Sequence, residues 1–168
     1  MPLYFAYGSN MDSVAMATRC PKARNLGLAR LPRHRFFIMS EGYASVKRDP
    51  RRSVLGVLWD VPLSDMALLD RYESLQSGLY SKIDQPVIID HAATGSGLVK
   101  GTSKRALLYV GRSDKIGKPK PGYLEAVLQA ARAQGLPDGY LYELEHGEPA
   151  PRKVGTPLFN CLLYTSPS

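Results

Sequence analysis

At 168 residues, 44% hydrophobic and with a net charge of +7, the chain is suited to one domain that needs no disulfide or metal staple. No stretch approaches the ~20 apolar residues of a membrane helix, so no membrane association is expected. The charge is uneven: residues 1–53 hold ten Lys or Arg against Asp12, Glu41 and Asp49, and beyond them twelve basic residues meet twelve acidic ones.

In chain order, residues 3–7 read as a strand broken by Gly8-Ser9-Asn10. No basic segment followed by an apolar one precedes that strand, so a cytoplasmic location is expected. Asp12 reads as the N-cap of a short helix from Ser13 to Cys20, stopped by Pro21. Strands are predicted at about 25–31, 34–40, 44–48 and 53–60, punctuated by Gly and Pro. Pro62 and Ser64 open a helix to about Tyr72, with Leu63, Met66, Ala67 and Asp70 at helical spacing. Strands follow at 80–89 and 104–109.

The segment from Pro121 to Gln134 carries a stripe of Tyr123, Val127, Ala130, Ala131 and Gln134, with Gly135 as its C-cap. Strands with helices inserted, and no regular βαβ alternation, argue an α+β fold whose strand-rich centre can close into a barrel. One domain is expected over 1–157. Residues 158–168 continue no helical or strand period and read as a tail of doubtful origin, which leaves Cys161 without functional meaning. Cys20 and Cys161 are far apart and lack His residues at metal spacing, so free thiols and no metal are expected.

The chemistry-bearing residues are few. Tyr7-Gly8-Ser9-Asn10 ends a strand just before a helix, where small residues can turn backbone N–H groups toward an anion. The same composition also suits a purely structural turn. Glu73 follows the helix at 62–72, on the unfavourable side of its dipole, which hints at a purpose other than helix stability. A solvated surface Glu fits the same position, and Asp70 and Glu41 compete with it. Ser9 lacks the Gly-x-Ser-x-Gly elbow, and His34, His91 and His146 have no signature joining them to a nucleophile. There is no Walker loop, Gly-x-Gly-x-x-Gly or zinc spacing, so no cofactor is expected. The basic first third fits a solvated surface, and without a nucleic-acid signature no nucleic-acid partner is expected.

Taken in order, four blocks resemble the gamma-glutamylcyclotransferase family. The first is Tyr4-Phe5-Ala6-Tyr7-Gly8-Ser9-Asn10-Met11. The second is Leu69-Asp70-Arg71-Tyr72-Glu73 with Ser77-Gly78-Leu79-Tyr80. Leu108-Tyr109-Val110 is the third, and Pro121-Gly122-Tyr123-Leu124 with Gly135-Leu136-Pro137-Asp138-Gly139-Tyr140 the last. The likeness runs from about Leu3 to Glu145.

The resemblance implies a mixed sheet closing into a small β-barrel with flanking helices. It implies conversion of a gamma-glutamyl amino acid or amine to 5-oxoproline plus the free amine. Apart from the resemblance, a monomer or homodimer is expected. The resemblance places the acid/base carboxylate on Glu73, the substrate loop on Tyr7, Gly8, Ser9 and Asn10, and cavity-lining roles on Tyr80 and Tyr109. Where the family usually follows its Glu with Gly, this chain has Ser74-Leu75, a departure that bears on substrate preference. The alternative is a protein on the same scaffold that binds gamma-glutamyl groups, or serves in stress, with weak or no catalysis.

The absent motifs agree with that chemistry. The substrate's own α-amine attacks its γ-carbonyl, so no protein nucleophile is needed, and well-oriented intramolecular attack supplies ~7–11 kcal/mol of the barrier. A carboxylate must take the ammonium proton, and a Glu at its reference pKa of ~4.3 is too weak a base. Burial is therefore expected to raise it.

Overall fold

The computed structural model describes residues 2–74 and 78–151. Five strands and four helices follow one another as β1 (Leu3–Ala6), α1 (Ser13–Arg19), β2 (Arg24–Ile38), β3 (Ala44–Asp60), α2 (Leu63–Ser74), β4 (Tyr80–Ala92), β5 (Ser103–Gly111), α3 (Tyr123–Ala133) and α4 (Asp138–His146). The strands close into a barrel in the order β1-β3-β2-β4-β5. Four of the five seams are antiparallel. The fifth, β1 against β5, is parallel and pairs Tyr4 with Leu107, so the sheet is mixed. The barrel and its helices match the expected α+β class.

Alternating side chains along the strands fill the centre. Phe5, Leu31, Leu58, Ile89 and Leu108 are almost wholly buried there, and each contributes roughly 1.5–3 kcal/mol by leaving water. β2 and β3 are each longer than the sequence predicts: segments 25–31 and 34–40 join, as do 44–48 and 53–60. The joint in β2 is a bulge between Pro32 and His34, where Arg33 takes φ 61°. A bulge absorbs the proline without ending the ladder. A second bulge lies between Asn25 and Gly27. There φ is 124°, and an added Cβ would lie 2.0 Å from the His91 carbonyl oxygen, so only Gly lets β4 approach.

α1 starts where expected, with the Asp12 carboxylate accepting the Val14 N–H at 2.9 Å. α3 buries Val127, Ala130 and Ala131. The Gln134 amide, just beyond α3, donates to the Met11 carbonyl at 2.8 Å and to Ser13 Oγ at 3.0 Å. That clasp holds the end of α3 against the loop after β1.

α2 is turned from the expected face. Met66, Leu69 and the carboxylate of Asp65 are buried, whereas Leu63 is 75% exposed. Apolar residues at 63, 66, 67, 68 and 69 surround the helix, so periodicity does not single out a side. The side chosen is the one that lets Asp65 accept the Lys22 N–H at 2.7 Å.

α4 was not expected. Gly139 in its first turn lowers its propensity, but Tyr140, Leu141 and Leu144 are buried, and Gly147 closes it at φ 81°. No helix among the described residues is long and apolar enough to cross a membrane. The tail at 158–168 and Leu75, Gln76 and Ser77 lie outside the described residues.

Candidate active site

The loop after β1 is held from three sides. Ser9–Met11 forms one turn of 3-10 helix, closed by Met11 N–H on the Gly8 carbonyl at 3.0 Å. From β3, the Trp59 indole donates to the Asn10 carbonyl at 3.1 Å. From α1, Arg19 donates to Asn10 Oδ1. Because a guanidinium only donates, this bond fixes the Asn10 amide with its NH2 facing the other way, where it donates to the Tyr4 hydroxyl at 3.0 Å. The Arg19 guanidinium also lies 3.9 Å above the Tyr72 ring, a cation–π contact that aims it at the end of α2.

Gly8 has no spare room. A Cβ there would come within 3.3 Å of the Tyr123 hydroxyl and 3.6 Å of the Ala44 methyl. Its backbone thus meets Tyr123 of α3 and Ala44 at the start of β3 directly.

These elements enclose a cavity of about 300 Å³ beside the barrel. Seven of the residues singled out from sequence line it: Tyr7, Gly8, Ser9 and Asn10 from the loop, Glu73 from α2, Tyr80 from β4 and Tyr109 from β5. Neither Glu41 nor any of the three His residues does. Glu41 is exposed and accepts from Ser40 Oγ at 3.0 Å. Asp70 lies just outside, accepting from the Tyr109 hydroxyl and pairing with Lys82 Nζ at 2.8 Å.

Sequence reasoning missed Tyr4, Arg19, Tyr43, Tyr72 and Tyr123, which with Ala44 complete the wall. The available signal was the stacking of tyrosines in the four motif blocks. Tyr123 instead read as part of the apolar stripe of α3, and no motif singles out Arg19.

The tyrosines are not equivalent as donors. The Tyr80 hydroxyl donates to the Ala44 carbonyl at 2.7 Å, the Tyr7 hydroxyl to the Tyr109 carbonyl, and the Tyr109 hydroxyl to Asp70. Those protons are committed. Tyr4 accepts from Asn10, and Tyr123 accepts from the Ala44 N–H at 3.2 Å, so among the described residues both keep an O–H proton to offer. Burial raises the hydroxyl pKa of all five, that of Tyr123 to about 12, so each stays protonated at neutral pH.

Glu73 is half-buried at the cavity wall. Burial pushes its carboxyl up to about 7; Arg19 opposes the shift and the neighbouring Asp70 adds to it. The direction is the one the proton-transfer argument requires. Among the described residues, no three His, Cys, Asp or Glu side chains converge as a metal cluster would.

Residues 53–144 match the AIG2-like family. The mouse gamma-glutamylcyclotransferase is 31% identical over 88% of this chain and 79% of its own length, and the human enzyme matches to the same extent. The chain belongs to the AIG2-like, gamma-glutamylcyclotransferase family. A solved gamma-glutamyl cyclotransferase superposes with a TM-score of 0.73 at 27% identity, covering 90% of each chain. A yeast gamma-glutamyl cyclotransferase specific to glutathione shares the fold, with a TM-score of 0.54 at 12% identity over 85% of this chain and 93% of its own. The loop and Glu73 line one cavity, although they are more than sixty residues apart in sequence.

Proposed function

We propose that the protein converts a gamma-glutamyl amino acid or amine into 5-oxoproline and the free amine, with Glu73 as the acid/base group. The observation that carries this reading is the half-buried Glu73 carboxyl, pushed up to about 7 by burial, in the wall of the same small-molecule-sized cavity that the loop lines. Family membership supports the reaction class.

In this reading the glutamyl α-carboxylate rests against the loop at Ser9 and Asn10 and within reach of Arg19, whose charge suits it. The α-ammonium then faces Glu73. The carboxylate takes one ammonium proton, and the freed nitrogen lone pair attacks the γ-carbonyl carbon. A new C–N bond closes the five-membered ring while the carbonyl oxygen takes up negative charge. When that charge returns, the C–N bond to the leaving amine breaks, Glu73 delivers its proton to the departing nitrogen, and the second proton of the ring nitrogen passes through the same carboxylate to the released amine, which leaves as an ammonium. The carboxylate ends as it began. Tyr4 and Tyr123, the two hydroxyls with a free proton, are the groups suited to the developing oxyanion.

The test is release of 5-oxoproline from gamma-glutamyl dipeptides, a gamma-glutamyl-lysine isopeptide and glutathione by the native chain and by Glu73→Gln. Turnover by the native chain that falls at least ~10²-fold in the near-isosteric, folded variant is expected from loss of acid/base catalysis. A folded native chain that binds gamma-glutamyl compounds but releases no 5-oxoproline would point instead to the binding role.

A further inference from the structure

The cavity is not sealed behind Glu73. Glu73, Tyr80 and Tyr109 also form one side of a shallower groove of about 340 Å³, completed by Asp70, Ser81, Lys82 and Arg112. Since these three residues belong to both spaces, Glu73 stands where the cavity opens into the groove. With the glutamyl group in the cavity and the scissile amide at Glu73, the leaving amine extends along the groove.

Of the two cations in the groove, one is already paired. Lys82 Nζ contacts both oxygens of Asp70, at 2.9 Å and 2.8 Å, so that ammonium and carboxylate neutralise each other. Arg112 joins none of the ion pairs among the described residues. Its position is nevertheless set by the barrel. It follows Gly111, the register partner of Tyr80, and its N–H donates to the Leu79 carbonyl at 2.7 Å. A guanidinium stays charged at any working pH, and its paired N–H groups match the two oxygens of a carboxylate.

We infer that Arg112 is a specificity-determining residue that binds a carboxylate carried by the leaving amine. The groove therefore selects gamma-glutamyl amino acids over gamma-glutamyl amines that lack that group. The placement of the leaving amine rests on the cyclotransferase reading proposed above.

The experiment compares two ligands that differ by only this carboxylate, gamma-glutamyl-alanine and gamma-glutamyl-ethylamide. Their dissociation constants are measured by calorimetry on Glu73→Gln, with Arg112 intact and as Arg112→Gln, and turnover is followed in parallel with Glu73 restored. With Arg112 present, the alanine compound binds about tenfold tighter, and Arg112→Gln removes that advantage while leaving the ethylamide unchanged. Arg112→Lys, which keeps the charge and loses the fork, restores part of it. Equal binding of the two ligands with Arg112 intact, an equal effect of Arg112→Gln on both, or no binding of either overturns the inference. Carboxylate-selective binding without 5-oxoproline release would uphold it and remove the cyclotransferase reading; turnover without selectivity would do the reverse.

Discussion

Glu73 destabilises the fold in a pH-dependent way that can be measured without any substrate. Its folded pKa of about 7 lies above the unfolded reference of 4.5. Between those pH values the folded chain holds one proton more than the unfolded chain, so stability falls as pH rises. Above pH 7 the full penalty is on the order of 3 kcal/mol. Glu73→Gln is therefore expected to melt higher than the native chain at pH 8, with the gap closing toward pH 4. An equal gap at both pH values in scanning calorimetry would show that the carboxyl is not held neutral by the fold. The tyrosines make a second residue-scale prediction. At least one of Tyr4→Phe and Tyr123→Phe should lower kcat by ~10²-fold, as loss of an oxyanion donor does, with little change in KM. Tyr80→Phe should change kcat less, because its proton is already spent on Ala44.

At the scale of elements, α2 is what delivers the carboxylates. Leu69 is fully buried one turn before Glu73, and Asp70 and Glu73 are three residues apart on the adjoining face. Leu69→Ala should cost ~2–5 kcal/mol in urea unfolding, as other buried Leu truncations do. It should also reduce turnover more than an exposed truncation at Leu63, which is 75% exposed. Element type was largely legible in the sequence, and boundaries and faces less so. Asp12 marked the start of α1 because a cap is a local contact. The joining of 25–31 with 34–40 was hidden because Pro32 normally signals a break, and only the partner strand shows that a bulge carries the ladder past it. The buried face of α2 was misjudged because it is chosen by Lys22, more than forty residues upstream. α4 went unseen because Gly139 masks a stripe whose burial comes from tertiary packing.

On the scale of the whole molecule, closure of the barrel turns separate motifs into one site. The parallel seam that pairs Tyr4 with Leu107 brings β5, and with it Tyr109, beside the loop that follows β1. The loop, Glu73, Tyr80 and Tyr109 could be picked out because each lies in a compact motif of the chain. Arg19 and Tyr43 could not, since their relevance depends on α1 and the turn before β3 converging in space, while Tyr123 lies in a motif but reads as part of the apolar stripe of α3. Arg112 is the same kind of residue: nothing in its local sequence marks it, and only the β4–β5 register sets it beside Tyr80.

The central claim is that Glu73 moves the protons of a cyclisation at this site. It is tested most directly by the pH dependence of kcat/KM for 5-oxoproline release, measured on the native chain and on Glu73→Gln. The account predicts a native rate that falls on the acid side with a midpoint near the carboxyl's value of about 7, and a variant with no comparable rate at any pH. A native rate that stays level down to pH ~5, near the reference carboxyl value, or a variant that turns over as fast as the native chain, would contradict it.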